Sequence, residues 1–162
     1  GLVDCFLLAG RFTLLDQRSL DELLPACEKN NVSLIIGGVF NSGILIDPAP
    51  SSFFDYVELN DSWLENAKQL GVRMPESYEN NKYWVSKAKE ISDVCKKHNI
   101  NLKSAALKFP YLNKNTATVL TGVSSKKHVL ENLNSYLSEI SNDLWRELEE
   151  KNLIQKGSIN KL

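Results

Sequence analysis

Residues 32–38, Val-Ser-Leu-Ile-Ile-Gly-Gly, are nearly continuous in apolar side chains and end on two glycines. A run this short and this uniformly apolar suits a strand of a parallel sheet, where helices cover both faces and polar alternation is not needed. That feature restricts the chain to folds that alternate strands with helices. Two further stretches fit the same scheme. Residues 5–9, Cys-Phe-Leu-Leu-Ala, precede Gly10 and are expected to form a buried strand. Residues 116–121, Thr-Ala-Thr-Val-Leu-Thr, precede Gly122 and are expected to form another.

Helical spacing fills the intervals. Ser19 and Glu22 have the spacing of a capping box, ahead of an apolar face at Leu20, Leu23, Leu24 and Cys27. Pro25 is expected to kink that helix. Trp84, Ala88, Ile91 and Cys95 mark a stronger helix over 83–97. Residues 102–109 read as a short helix stopped by Pro110. Ser124 and Ser125 stand where a helix bearing Val129, Leu130, Leu133 and Leu137 needs its N-cap. Ile140, Leu144 and Leu148 mark a last helix capped by Ser141. Residues 47–81 form a long excursion, with helical turns expected at 62–70. The tail from Gln155 is polar and expected to fray. The whole of 1–162 reads as one domain.

Composition narrows the partners. Net charge is −1, which suits neither a nucleic-acid surface nor a membrane-surface arm. No apolar run is long enough to span a bilayer. The sequence opens at Gly1 without methionine and without signal-peptide character, so processing or excision from a longer chain is expected. The three cysteines lack metal-ligand spacing, and Cys27 and Cys95 fall on apolar helix faces. Buried free thiols imply a reducing compartment, most simply the cytoplasm. No His/Cys/carboxylate cluster suggests a metal.

If the three strands are adjacent and parallel, their following loops share one edge of the sheet. Asp16 and Gln17 follow the first, Phe40, Asn41, Ser42 and Gly43 the second, and Gly122, Val123, Ser124 and Ser125 the third. Strand, small-residue turn, serine cap and helix is a layout that aims backbone N–H groups at an anion. Glu131 and Asn132, one to two helical turns further on, are placed to hydrogen-bond a base or ribose. Together these describe a nucleotide cradle, although neither GxGxxG nor GxxxxGK[ST] is present. A Ser124–His128–Asp47 hydrolytic triad can be drawn, but Ser124 is better explained as a cap.

The segments Phe6-Leu-Leu-Ala-Gly-Arg-Phe-Thr-Leu-Leu-Asp-Gln, Ile35-Ile-Gly-Gly-Val-Phe-Asn-Ser-Gly-Ile-Leu, Ala105-Ala-Leu-Lys-Phe-Pro and Val119-Leu-Thr-Gly-Val, followed by Glu131-Asn132, occur in the order found in one branch of the aldo-keto reductases. The chain resembles the aldose 1-dehydrogenases that act on L-fucose, L-galactose and D-threo-aldoses, with residues 61–81 as an insertion. The resemblance implies a partial (β/α)8 TIM barrel: about its last three βα units plus a C-terminal helix. It implies an NAD(P)-dependent oxidoreductase acting on a sugar or aldehyde. The family's catalytic Asp, Tyr, Lys and His belong to the other half of the barrel, so no catalytic residue is assigned here. Alone, the chain is expected to be inactive.

The same resemblance puts the cofactor's diphosphate on Phe40, Asn41, Ser42 and Gly43. It puts the adenosine end on Gly122, Val123, Ser124, Ser125, Glu131 and Asn132. His128 stands where NADP-preferring members place arginine, and Gly122 where many have lysine. Both lean towards NAD, with NADP binding possible through Lys126 and Lys127. The glutamine and tyrosine that flank the nicotinamide in the wider family are replaced by Ala9 and Gly37. Pairing with a missing N-terminal half, or a homodimer, is the expected assembly. The alternative is a non-catalytic nucleotide-binding or protein-interaction module.

Overall fold

The computed structural model describes residues 2–48, 69 and 81–159. The helical turns expected at 62–70 and the inserted loop expected over 61–81 lie almost wholly outside them. Strands β1 (Cys5–Ala9), β2 (Ser33–Gly37) and β3 (Thr116–Val119) form one parallel sheet in the order β1-β2-β3. Leu7 pairs with Ile35 and Ala9 with Gly37, while Leu34 pairs with Thr116 across an irregular register. Among the described residues, five helices accompany the strands: α1 (Leu23–Lys29), α2 (Asn81–Lys97), α3 (Leu102–Lys108), α4 (Lys126–Leu137) and α5 (Asn142–Glu150).

The core lies against one face of the sheet. Leu34 and Ile36 of β2 are fully buried, together with Phe12, Leu14, Leu15, Ile91, Phe109, Leu144 and Leu148. Phe109 stands between Phe12 and Trp145, at ring separations of 5.3 and 6.2 Å. Both pairs are tilted, at spacings where aromatic rings attract beyond simple burial. Cys27 and Cys95 are buried free thiols as expected, and burial pushes the Cys95 thiol up to about 12.

Several local expectations are corrected. The flanking strands are not buried: Phe6 and Leu7 of β1 and Ala117 and Thr118 of β3 are exposed, because each strand is an edge of this sheet. β3 also stops at Val119 instead of Thr121. Ser19 caps nothing; its hydroxyl donates to the Arg11 carbonyl at 2.7 Å, and α1 starts after Glu22 without a side-chain cap. Pro25 therefore sits in the first turn, where its missing N–H removes no helical bond. α3 ends at Lys108, and Pro110 continues the chain in a 3-10 turn. His98 closes α2 by meeting Glu147 of α5 at 2.8 Å.

The tail expected to fray is held over 155–159. Ser158 is fully buried, the Gln155 N–H donates to Gln17 Oε1 at 3.2 Å, and its side chain donates to Asp21 at 2.7 Å. Its polar composition serves these hydrogen bonds. No helix among the described residues is long and apolar enough to cross a membrane.

Candidate cofactor site

Because all three strands are parallel and adjacent, the loops that follow them emerge at one edge. The first is a tight loop. Thr13 Oγ1 accepts the N–H groups of Leu15 and Asp16 at 3.2 and 3.1 Å. Asp16, only 5% exposed, takes Arg18 through both carboxylate oxygens, the shortest contact being 2.7 Å. Lys87 of α2 reaches in to donate to the Leu15 carbonyl at 2.8 Å. Burial lowers the Lys87 ammonium's pKa, and the nearby Asp16 charge partly offsets this.

The second loop begins where two backbones touch. Gly38 has φ +66°, and a Cβ there would meet the Gly10 nitrogen at 3.2 Å, so glycine suits both the conformation and the space. Phe40 is half-buried. Asn41, Ser42 and Gly43 follow with φ of 44, 55 and 101°. Three successive positive values are unusual, and that of Ser42 carries a strain of about 1 kcal/mol or more. Within this left-handed turn Asn41 N–H donates to Gly38, Gly43 N–H to Phe40 and Ile44 N–H to Asn41. Most of its amides are thus committed inside the loop. What it leaves open is a side chain: Asn41 Oδ1 is buried and has no hydrogen-bond partner. A buried amide oxygen without a donor marks a place for a ligand or a water.

The third loop is open. Gly122, Val123, Ser124 and Ser125 are all exposed. A Cβ at Gly122 would meet nothing within 4 Å, and its φ lies outside the left-handed region, so the turn itself does not demand glycine there. The N-cap of α4 is Ser125, not Ser124 as its position also allowed: the Ser125 hydroxyl accepts the His128 N–H at 3.2 Å. The N–H groups of Lys126 and Lys127 have no acceptor within the helix, and both side chains are exposed. Ser124 Oγ and His128 Nδ1 lie 3.1 Å apart on the surface, which is a contact of the helix start. Asn132 donates to Thr121 Oγ1 at 3.0 Å and so ties α4 back to the turn.

One side chain joins the second and third loops. Lys103 of α3 donates to Glu131 Oε2 at 3.2 Å and stands 6.0 Å over the Phe40 ring. Phe40 and Glu131, far apart in sequence, are thereby brought together. Nothing in the sequence marked Lys103: a lysine in a helix's first turn carries no periodic signal. Ala9 and Gly37 are also brought together, as direct cross-strand partners. A Cβ at Gly37 would meet only ordinary contacts at 3.7 Å, so packing does not require glycine there. No group of three His, Cys, Asp or Glu residues among those described is placed to hold a metal ion.

The sequence profile of the aldo/keto reductase family matches residues 2–153. The chain belongs to this family. It is 31% identical over 153 residues to pyridoxal 4-dehydrogenase of Microbacterium luteolum, covering 94% of this chain and 39% of that protein. It is 30% identical over 154 residues to D-threo-aldose 1-dehydrogenase of a Pseudomonas species, covering 94% and 40%. Among solved structures, the aldo-keto reductase of Bacillus halodurans in its holo form superposes with a TM-score of 0.57 at 21% identity, covering 96% of this chain and 43% of its own. The glycerol dehydrogenase of Gluconobacter oxydans superposes at 0.58 and 12% identity, covering 90% and 41%. This aldo-keto reductase chain therefore spans well under half the length of these relatives. Its three-stranded sheet with open edges is part of a (β/α)8 barrel.

Proposed function

We propose that this chain is the cofactor-holding part of an NAD(P)-dependent aldo-keto reductase of the aldose dehydrogenase type. Family membership supports an oxidoreductase, and the names of the two similar proteins support dehydrogenation. The observation that carries the cofactor reading is the α4 N-terminus. A serine-capped helix start with two amides lacking intrahelical acceptors and two exposed lysines opens at the C-terminal edge of the sheet. Phosphate groups bind such termini because the partial positive charge of the helix and its free N–H groups act together. The C-terminal edge is also where barrel enzymes keep their sites.

Gly122, Val123, Ser124 and Ser125 would hold the adenosine phosphate, with Glu131 and Asn132 on the adenosine itself. Phe40, Asn41, Ser42 and Gly43 would line the diphosphate, Asn41 Oδ1 accepting from a bound water or a ribose hydroxyl, since the diphosphate has no proton to donate. The nicotinamide supplies the hydride acceptor. His128, being an imidazole and not a guanidinium, grips a 2′-phosphate less well, which favours NAD over NADP. The protonating tetrad is assigned to the remaining units of the barrel, so these residues bind and orient but do not catalyse. The apolar edge strands and the α4 face fit those remaining units. The substrate is a sugar or a related aldehyde.

Calorimetric titration of the full-length protein tests the reading. NAD should bind more tightly than NADP. Heat from neither nucleotide would overturn it.

A further inference from the structure

Lys103 lies at the centre of the candidate site yet has no place in the cofactor reading given above. Its side chain is 14% exposed, which is low for a lysine. The backbone beneath it is fixed: the Asn101 side chain caps α3 by accepting the Lys103 N–H at 2.8 Å. Its ammonium reaches Glu131 on α4 and the face of Phe40 in the loop after β2. The same Glu131 meets Lys127 more loosely, at 3.8 Å on the surface. The hydrogen bond from Lys103 is also the main reason that the Glu131 carboxyl titrates below its ordinary value.

We infer that Lys103 is a positioning residue that couples the diphosphate loop to the adenosine-binding helix, so that the two ends of a dinucleotide are gripped together. The inference rests on the cofactor reading. The ammonium suits this role because it offers three donors and a compact charge, able to hold a carboxylate and lie over a ring at once. With the charge removed, Glu131 loses its internal partner and the Phe40 loop loses its link to α4. A ligand that uses both loops then has to order them separately. A ligand that uses only the adenosine side avoids most of that cost.

The test compares NAD with adenosine monophosphate on the full-length protein, by calorimetry, in wild type, Lys103→Met and Lys103→Arg. Methionine keeps the apolar stem and removes the charge. Lys103→Met is expected to weaken NAD about tenfold, within the usual range of coupling between sites, and adenosine monophosphate about threefold or less. Lys103→Arg should recover most of the NAD affinity. Melting temperatures are measured alongside. If Lys103→Met does not fold, Lys103→Gln, which removes the charge and keeps a polar side chain in the same place, takes its part and should show the same NAD-weighted loss. Equal losses for the two nucleotides, or no loss for either, would overturn the coupling role while leaving the cofactor reading intact. A wild-type protein that binds neither nucleotide would overturn the cofactor reading and this inference with it.

Discussion

Helix α5 buries Leu144, Trp145 and Leu148 against the core, whereas α4 leaves Val129, Leu130, Leu133 and Leu137 about half exposed or more. Both are amphipathic and both start at a serine N-cap. Their sequences alone do not separate them. What differs is what lies opposite. α5 faces α2 and the Phe12–Phe109 cluster, both within the described residues. α4 packs on α3 along one side and presents the rest of its apolar stripe to solvent, as β1 does with Phe6 and Leu7. An amphipathic pattern therefore reports that a helix expects a partner, not that the partner is present. The chain spans about two-fifths of the relatives it matches, and under the function proposed above the uncovered stripe would face the rest of the barrel.

One truncation in each helix should separate the two. Leu148→Ala should cost about 2–5 kcal/mol, because a fully buried leucine leaves a cavity. Leu133→Ala should cost well under about 1 kcal/mol in this chain, since its side chain is already half in water. Urea unfolding of both variants decides it, and equal losses would abolish the distinction. A second change sharpens it. Leu130→Glu with Leu133→Glu should leave the fold intact and weaken self-association of the purified chain about tenfold or more, because charge is poorly tolerated in an apolar contact. Sedimentation over a concentration series reads this out; unchanged association would mean that the α4 face is not the sticky one.

The caps offer a finer comparison. Ser125→Ala and Ser141→Ala each remove a side-chain acceptor from a helix N-terminus, worth about 1 kcal/mol. In α5 the loss should appear in global unfolding. In α4 it should appear first as faster amide exchange over 126–130, since a poorly packed helix frays locally. Glu147→Gln should have the smallest effect. The hydrogen bond from Lys97, then that from His98, lowers the Glu147 carboxyl below its ordinary 4.5. Its stabilisation is present above that ordinary value and is lost as pH falls through the lowered folded value. The gap in melting temperature between wild type and variant should therefore narrow below about pH 4.5 and stay level above it. A gap that widened in acid would contradict the assignment.

Much of this could be read from the residues. The run at 32–38 announced a buried parallel strand, the strand–turn–helix rhythm announced a parallel sheet, and the Ser124-Ser125 pair announced a cap, which falls on Ser125 and not on Ser124. Local periodicity and hydrogen-bonding chemistry carry those signals. The exposure of Phe6 and Leu7 was not legible, because an apolar run looks the same at an edge as in the middle of a sheet. Neither was the docking of the tail, which depends on Gln155 meeting Gln17 and Asp21 across most of the chain. In the candidate site the strand-end loops were legible from their small residues. The Lys103 link was not, because it joins three elements through one flexible side chain. At Gly122 a Cβ would meet nothing within 4 Å, so the turn itself does not require a glycine.

Under the proposed function the loops after β2 and β3 hold the two halves of one dinucleotide. Amide hydrogen exchange of the full-length protein with and without NAD tests it most directly. Exchange over 40–43 and 124–131 should slow together on adding NAD, with α5 unchanged. Slowing confined to one of these loops, or absent from both while NAD is demonstrably bound, would contradict it.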